Sequence, residues 1–328
     1  MRNVTDMKSG IAVAGSILVD KLNEISAYPK EGELAQIRKT GLSAGGCVPN
    51  VAIDLKKISP ELSVYAVGVT GSDEEGKYVT GCLKNSGVDA RYVSVNDEKT
   101  SFTEVMSVSG GQRTFFTYAG ASAKFGYADV PFEKLNVKML HLGYFLLLNK
   151  VDGGDGLRIL GRAKECGIKT SIDLVSENSD RYALVVPCLK YTDNLIINEI
   201  EAAKLTGISP ELKNMRAVCE KLKAYGVKER VIIHCPEYGV CFGESGFMVV
   251  PSYDLPQGYI QGTTGAGDAF CAGALTAIYE EKTDEEILQF ASACAVAALS
   301  AVDATSGLKS KEEILETCKD FKRKKICW

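Results

Sequence analysis

Residues 262–273 read GTTGAGDAFCAG. Two threonines lead into a glycine-rich turn, an acid follows, and small and apolar residues continue at helical spacing, which predicts a helix over 266–279. The first turn of a helix has backbone N–H groups without intrahelical partners, and these suit an anion such as a phosphate. Gly265, Ala266 and Gly267 carry almost no side chain, so the backbone there can approach a ligand closely. Asp268 stands at the same helix start, where the helix dipole favours its ionised form. A carboxylate so placed can take the proton from an attacking hydroxyl. A glycine-rich helix start with an acidic first turn is also a common structural feature, but the full string is more specific than either part.

Around this stretch, short apolar runs alternate with helical periods. Strands are expected at 11–19, 64–69, 139–142, 169–174, 194–197 and 231–234, several of them apolar on successive positions, as in strands covered on both faces. Helices are expected at 50–58, 74–86, 153–166, 199–206 and 211–225, with glycines such as Gly87, Gly167, Gly207 and Gly226 as stops. The C-terminal third predicts helices at 266–279, 284–301 and 310–321. Repeated strand–helix–strand units imply an α/β body with a mainly parallel sheet. Two segments, about 20–40 and 100–118, alternate like strands with no helix between them, and read as a small antiparallel sheet projecting from the body. Ser109-Gly110-Gly111-Gln112 in the second is a hairpin turn signal. No repeat, low-complexity tract or long linker interrupts residues 1–328, so one domain carrying a β-sheet lid is the simplest organisation.

The net charge of -4 and the lack of a basic stripe argue against nucleic-acid binding. Lys56-Lys57 reads as a solvated helix face, and the basic tract at 322–325 as the end of a helix. The cysteine count is odd at eleven, no two cysteines are spaced CxxC, and the only histidines, His141 and His234, are far apart, which argues against a zinc cluster. Cysteines inside apolar runs, such as Cys271 and Cys294, read as small buried hydrophobes in a reducing compartment. MRNVTDMKSG lacks the apolar core of a signal peptide, and no run is long and apolar enough to span a membrane, so a soluble cytoplasmic protein is expected.

A second stretch, AGGCVPNVA at 44–52, precedes an amphipathic helix. Gly45 and Gly46 let backbone approach a hydroxyl-rich ligand, and Asn50 can both donate and accept; taken alone, this is a strand-to-helix turn with Asn50 as cap. Together and in this order, the two stretches resemble the signatures of the ribokinase-like (pfkB) family of carbohydrate kinases. The resemblance spans about residues 10–320 and implies a three-layer α/β/α fold with a mainly parallel central sheet and a small β-sheet lid. It implies ATP-dependent phosphorylation of a hydroxyl on a small sugar, such as fructose or ribose. The Gly265, Ala266 and Gly267 amides would form the anion hole, Thr264 would adjoin the cofactor, and Asp268 would be the base. Gly45, Gly46 and Asn50 would contact the sugar, as would Asp20, whose bland reading is a surface turn residue. Asn198 and Glu201 match the family's NxxE, which organises Mg2+ and phosphate largely through water; their spacing equally fits a capping box. Glu199 reads as a helper to that pair or, first, as solvated surface.

Several positions depart from the family pattern. Gly262 stands where an Asp usually helps to bind a monovalent cation, which leaves potassium activation open. After Asp173, Val175 and Glu177 replace the Asn and Arg of DxNxR. His234 and Pro236 fall in a nucleotide turn where Thr and Gly are usual, with Gly239 remaining as a nucleotide contact; His234 equally fits a hydrogen-bonded strand end. Asp73 in GSDEEG reads as a helix cap, His141 as structural, and Cys47 as a passive small residue. Phe115, Phe116 and Tyr118 fit a lid covering the substrate, or a clasp in a lid-mediated homodimer, with one alternate face buried. Arg113 is available for an anionic substrate but reads first as surface. The same fold and motifs serve nucleoside kinases. A non-catalytic sugar-binding regulatory protein is the reading of another class, which intact Asp268 opposes. A dinucleotide dehydrogenase fails because GSILVD, not GxGxxG, follows the first strand.

Overall fold

The computed structural model describes residues 8–108 and 113–326; the turn expected at Ser109-Gly110-Gly111-Gln112 lies outside the described residues, as does Cys327. The chain begins β1 (Ile11–Gly15), β2 (Leu18–Ile25), β3 (Ile37–Gly45), α1 (Cys47–Ile58), β4 (Val64–Gly71), α2 (Glu74–Asn85), β5 (Asp89–Asn96), β6 (Ser101–Val108), β7 (Arg113–Tyr118) and β8 (Met139–Phe145). It continues α3 (Gly156–Glu165), β9 (Lys169–Leu174), β10 (Asn194–Asn198), α4 (Glu199–Thr206), α5 (Met215–Ala224), β11 (Arg230–His234), β12 (Tyr238–Gly243) and β13 (Gly246–Pro251). Three helices close it: α6 (Ala266–Tyr279), α7 (Asp284–Leu299) and α8 (Lys311–Cys318).

Nine strands form one sheet in the order β13-β12-β11-β10-β9-β8-β1-β4-β5. From β5 to β11 neighbours run parallel; β12 and β13 add an antiparallel edge. The period-two alternation of side chains makes the three layers. In β1, Ile11 and Val13 pack with α1, α6 and α7 on one face, while Ala12 and Ala14 pack with α3 and α5 residues on the other. All four are fully buried, which is why the run reads as continuously apolar.

The remaining strands form a second sheet, β3-β2-β6-β7. It was expected to be antiparallel, but β2 and β6 pair in parallel from Leu18↔Ser101 to Ile25↔Val108. The cause is the body: β2 continues from β1 and β6 follows β5, and these body strands run the same way, so both leave it in one direction. No residue of β7 is buried on either face, contrary to the expected half-buried alternation. Tyr118 stacks on Phe102 at 5.2 Å, while Phe115 and Phe116 are 57% and 61% exposed.

Other boundaries differ locally. The run 11–19 splits at Ser16, whose carbonyl accepts from Val48 N and whose hydroxyl accepts from Cys47 N. Strand β5 and the β12–β13 hairpin were not anticipated. The last helix stops at Cys318, and the basic tract is extended rather than helical. Tyr253 pairs with Arg323, whose guanidinium lies 3.7 Å from the Tyr253 ring centroid. Lys57 is not simply solvated, since its Nζ donates to Thr305 O at 2.7 Å. Among the described residues no helix is long and apolar enough to cross a membrane.

Candidate active site

The carboxyl ends of β8, β9, β10 and β11 and the start of α6 enclose a cavity of about 210 Å³. This is where an α/β sheet ordinarily binds its ligand. Asp268, in the first turn of α6, forms part of its wall and is 7% exposed. Its Oδ2 accepts hydrogen bonds from Asn50 Nδ2 at 2.9 Å and from the Tyr144 hydroxyl at 3.0 Å. Burial, with the charge of Asp173 nearby, pushes the Asp268 carboxyl up to about 7, and the two hydrogen bonds oppose that rise. Asn50 is therefore not a cap. Gly46 caps α1, and Asn50 lies one turn in, where it reaches across to α6.

Among the described residues, no side chain caps the start of α6. Gly265, at φ +78°, turns the chain into the helix, and a Cβ there would come within 2.5 Å of Ala304 Cα. Ala269 N donates to the Gly265 carbonyl, whereas the Gly267 and Asp268 amides precede the first intrahelical bond and can face an anion. Thr264 sits in the turn just before, half-buried. Beside this helix start, His234 lies on Phe270 of α6, with ring centroids 4.7 Å apart, and lines the cavity. Burial lowers its imidazole to about 4, so it is neutral. Gly239 is not brought into this group: it pairs with His234 inside the sheet and packs on Leu288 and Phe270. At Gly262, a Cβ would stand 2.8 Å from Ala301 O, which leaves little room for the family's Asp.

Asn198 and Glu201 form a complete capping box on α4 and also line the cavity, so both readings hold together. Asn198 Oδ1 accepts from the Ile200 and Glu201 amides, and Glu201 Oε2 accepts from Asn198 N. Ser176 Oγ accepts from Asn198 Nδ2 and donates to Glu201 Oε1, both at 2.8 Å. Burial pushes Glu201 up to about 7. With both oxygens engaged, Glu201 suits a hydrated Mg2+ held through water. Ser176 thus works beside the missing asparagine position, and Glu177 turns away to Arg181.

On the lid side, Asp20 lies in β2, not in a turn. Gly45 makes room for it, since a Cβ there would stand 2.6 Å from Asp20 Cγ. Burial pushes Asp20 up to about 7, with Arg113 opposing, and its charge is felt at Asp268. Asp73 caps α2, as expected, and also holds Thr100. The sequence reading missed Tyr144, Ser176 and the pocket roles of Asp173 and Cys271. Tyr144 has φ +60° and donates its N–H to Asp173 Oδ1. Only its place after Gly143 at a strand end hinted at this.

The model of the pfkB family of carbohydrate kinases matches residues 9–311, and the chain belongs to that family. A ribokinase of Arabidopsis thaliana is 29% identical over 317 residues, covering 94% of this chain and 81% of that protein. Fructokinase-1 of Oryza sativa subsp. japonica is 26% identical over 320 residues, covering 92% and 95%. The structure of Arabidopsis thaliana ribokinase complexed with ribose and ATP superposes with TM-score 0.82 at 27% identity, over 95% of this chain and 99% of that one. The fold is accordingly the three-layer ribokinase-like one, and the protein is a carbohydrate kinase.

Proposed function

We propose that this kinase transfers the terminal phosphoryl group of ATP to a hydroxyl of a small neutral sugar, ribose or fructose being the leading candidates, with Asp268 as general base. The observation that supports this most is the bond from Asn50 to Asp268, which joins the sugar-loop helix to the phosphate-loop helix. Asn50 and Tyr144 both bond to Oδ2, which fixes the carboxylate and leaves Oδ1 to serve an incoming hydroxyl. Asp268 takes the hydroxyl proton as the sugar oxygen attacks phosphorus, and the Gly267 and Asp268 amides stabilise charge on the transferred group. Gly265 and Ala266 shape that turn, and Thr264 adjoins it. Bound Mg2+ neutralises phosphate charge, and Glu201 and Asn198 would orient its waters. Asp20, Gly45 and Gly46 hold the sugar hydroxyls.

In this reading residues 1–328 act as one kinase domain in the cytoplasm, and the β2-β3-β6-β7 sheet is a lid that excludes water on closing. Ile37 and Leu42 of the lid, 51% and 45% exposed, line a hollow of about 690 Å³ whose lining does not include Asp268, and we take this face as the contact to a second copy. Sedimentation of the purified protein and of Leu42→Asp tests this: the wild type runs as a dimer and the variant as a monomer, and a monomeric wild type at working concentration removes the idea.

ATP consumption measured against a panel of sugars and nucleosides, with Asp268→Asn alongside, tests the chemistry. Turnover on sugars is expected, falling about 10²- to 10⁴-fold in the variant while its melting temperature holds. Turnover confined to nucleosides would move the substrate class. No turnover, with sugars still raising the melting temperature, would leave a binding protein.

A further inference from the structure

We propose that Cys47, His141, Asp173 and Cys271 form a site for a thiophilic divalent cation of the zinc class, beside the catalytic cavity and distinct from the magnesium–nucleotide position. The four residues come from four elements: the first turn of α1, β8, β9 and the second turn of α6. The Cys47 thiol, a His141 ring nitrogen and an Asp173 carboxylate oxygen all lie within 4.8 Å of one another, and all three residues are buried. The separations are near those of a coordination shell and need adjustments of a few tenths of an ångström or more to reach one. His141 Nε2 is 3.2 Å from Asp173 Oδ2, Cys47 Sγ is 3.9 Å from the same oxygen, and Cys271 Sγ is 3.6 Å from the same nitrogen. A tetrahedral zinc with Zn–S near 2.3 Å and Zn–N or Zn–O of 2.0–2.2 Å needs neighbouring ligand atoms about 3.3–3.8 Å apart, the longest being between two sulfurs. Cys271, whose sulfur is in reach of His141 alone among the described contacts, would supply the fourth ligand by a change of side-chain rotamer.

The surroundings suit ligation. Ser171 Oγ lies 2.9 Å from His141 Nδ1 and can accept its proton, which turns the Nε2 lone pair into the cluster. Gly143 leaves the space open: a Cβ there would stand 2.9 Å from both Cys47 Cβ and Asp173 Oδ1. Asp173 and Cys271 also line the catalytic cavity, which provides an entry route. Binding exchanges two thiol protons, released to solvent, for two metal–sulfur bonds, while the carboxylate and imidazole ligate as they are. A soft ion is selected because two of four donors are sulfur, a set that magnesium does not favour. Occupied, the site would tie α1, β8, β9 and α6 together beneath Asp268.

The test uses the full chain, stripped with a chelator and dialysed into buffer containing excess magnesium, then titrated with zinc chloride or cobalt chloride. One equivalent of zinc should survive gel filtration and raise the melting temperature. The cobalt form should show thiolate-to-metal charge transfer and the visible bands of tetrahedral Co2+. Cys47→Ser and Cys271→Ser should lose the retained zinc, and Cys82→Ser and Cys166→Ser, at partly exposed thiols, should keep it. Substoichiometric retention, or a cobalt spectrum without thiolate character, overturns the site and leaves a hydrogen-bonded cluster in which His141 donates to Asp173. That spectrum is read on the wild type, so it decides even if the core variants do not fold. Neither outcome bears on whether ATP is consumed, which keeps this test separate from the kinase assay.

Discussion

Asp268 must lose its proton before it can accept one, and its carboxyl sits at about 7 because burial and Asp173 outweigh the bonds from Asn50 and Tyr144. The apparent kcat/KM of the kinase should therefore fall about tenfold per pH unit below about 7, the free-enzyme value. Tyr144 is held as a neutral donor, its phenol pushed well above the usual range by burial and by Asp268. Its hydrogen bond favours the charged carboxylate, so Tyr144→Phe should move the acidic limb to higher pH and lower the rate near neutrality. A pH–rate profile of the two proteins checks this. An unmoved limb with only a lower melting temperature would make Tyr144 a packing residue. Apart from its place after Gly143 at a strand end, nothing in the sequence distinguishes Tyr144 from the other thirteen tyrosines. Asp268 was legible because its chemistry is local: the glycines, the helix start and the acid are adjacent.

The NLIINEIE segment shows how one element serves two ends. A glutamate three residues after an asparagine is readable as a capping box, and the box is formed. That it also borders the cavity follows from β10 lying next to β9, which brings Ser176 between Asn198 and Glu201. Asn198→Ala should cost about 0.5–2 kcal/mol of stability through the lost cap, seen as a lower urea midpoint. If Asn198 also orders magnesium and phosphate, KM for MgATP should rise in the same variant, which a cap alone would not cause. The lid shows the opposite case. Its strands were legible from alternation, but the parallel pairing of β2 with β6 was not, since pairing depends on the directions in which distant body strands leave the sheet.

Asp20, Asp54, Glu201 and Asp268 are all pushed up by burial, and Asp54 has neither oxygen hydrogen-bonded among the described residues. Each holds a proton in the folded state where the unfolded chain has released it. The stability they contribute is present below their unfolded values, about 4, and is lost as pH rises through their folded values, about 7 for Asp20, Glu201 and Asp268. His234 works the other way. It stays neutral down to about 4, so its contribution is lost as pH falls from about 6.5. Hydrogen-bonded carboxyls held low, such as Asp73 and Asp303, lose theirs only in stronger acid. Burial raises Asp152 and Glu199 as well, so the raised carboxyls outnumber His234 and predict greater resistance to urea at about pH 6 than at about pH 8, with a fall again in acid. Asp54→Asn, which cannot ionise, should flatten the alkaline fall. Stability rising steadily from about pH 6 to about pH 8 would contradict the argument.

What the sequence determined by itself was periodic or local. Consecutive apolar runs dictated a sheet covered on both faces, small residues after GTTGAG dictated a helix with free amides at its start, and glycines marked where helices end. Such signals are complete within about one element, because side-chain period and backbone freedom act between near neighbours. The tertiary structure decided what meets across elements. Asn50 was readable as a cap until α1 crossed α6. Sequence spacing carries no sign of the group that Cys47, His141 and Asp173 form within 4.8 Å of one another, the group proposed above as part of a metal site. Metal ligation depends on distances of a few ångströms in space, and no spacing along a chain reports those when the ligands arrive on separate strands and helices.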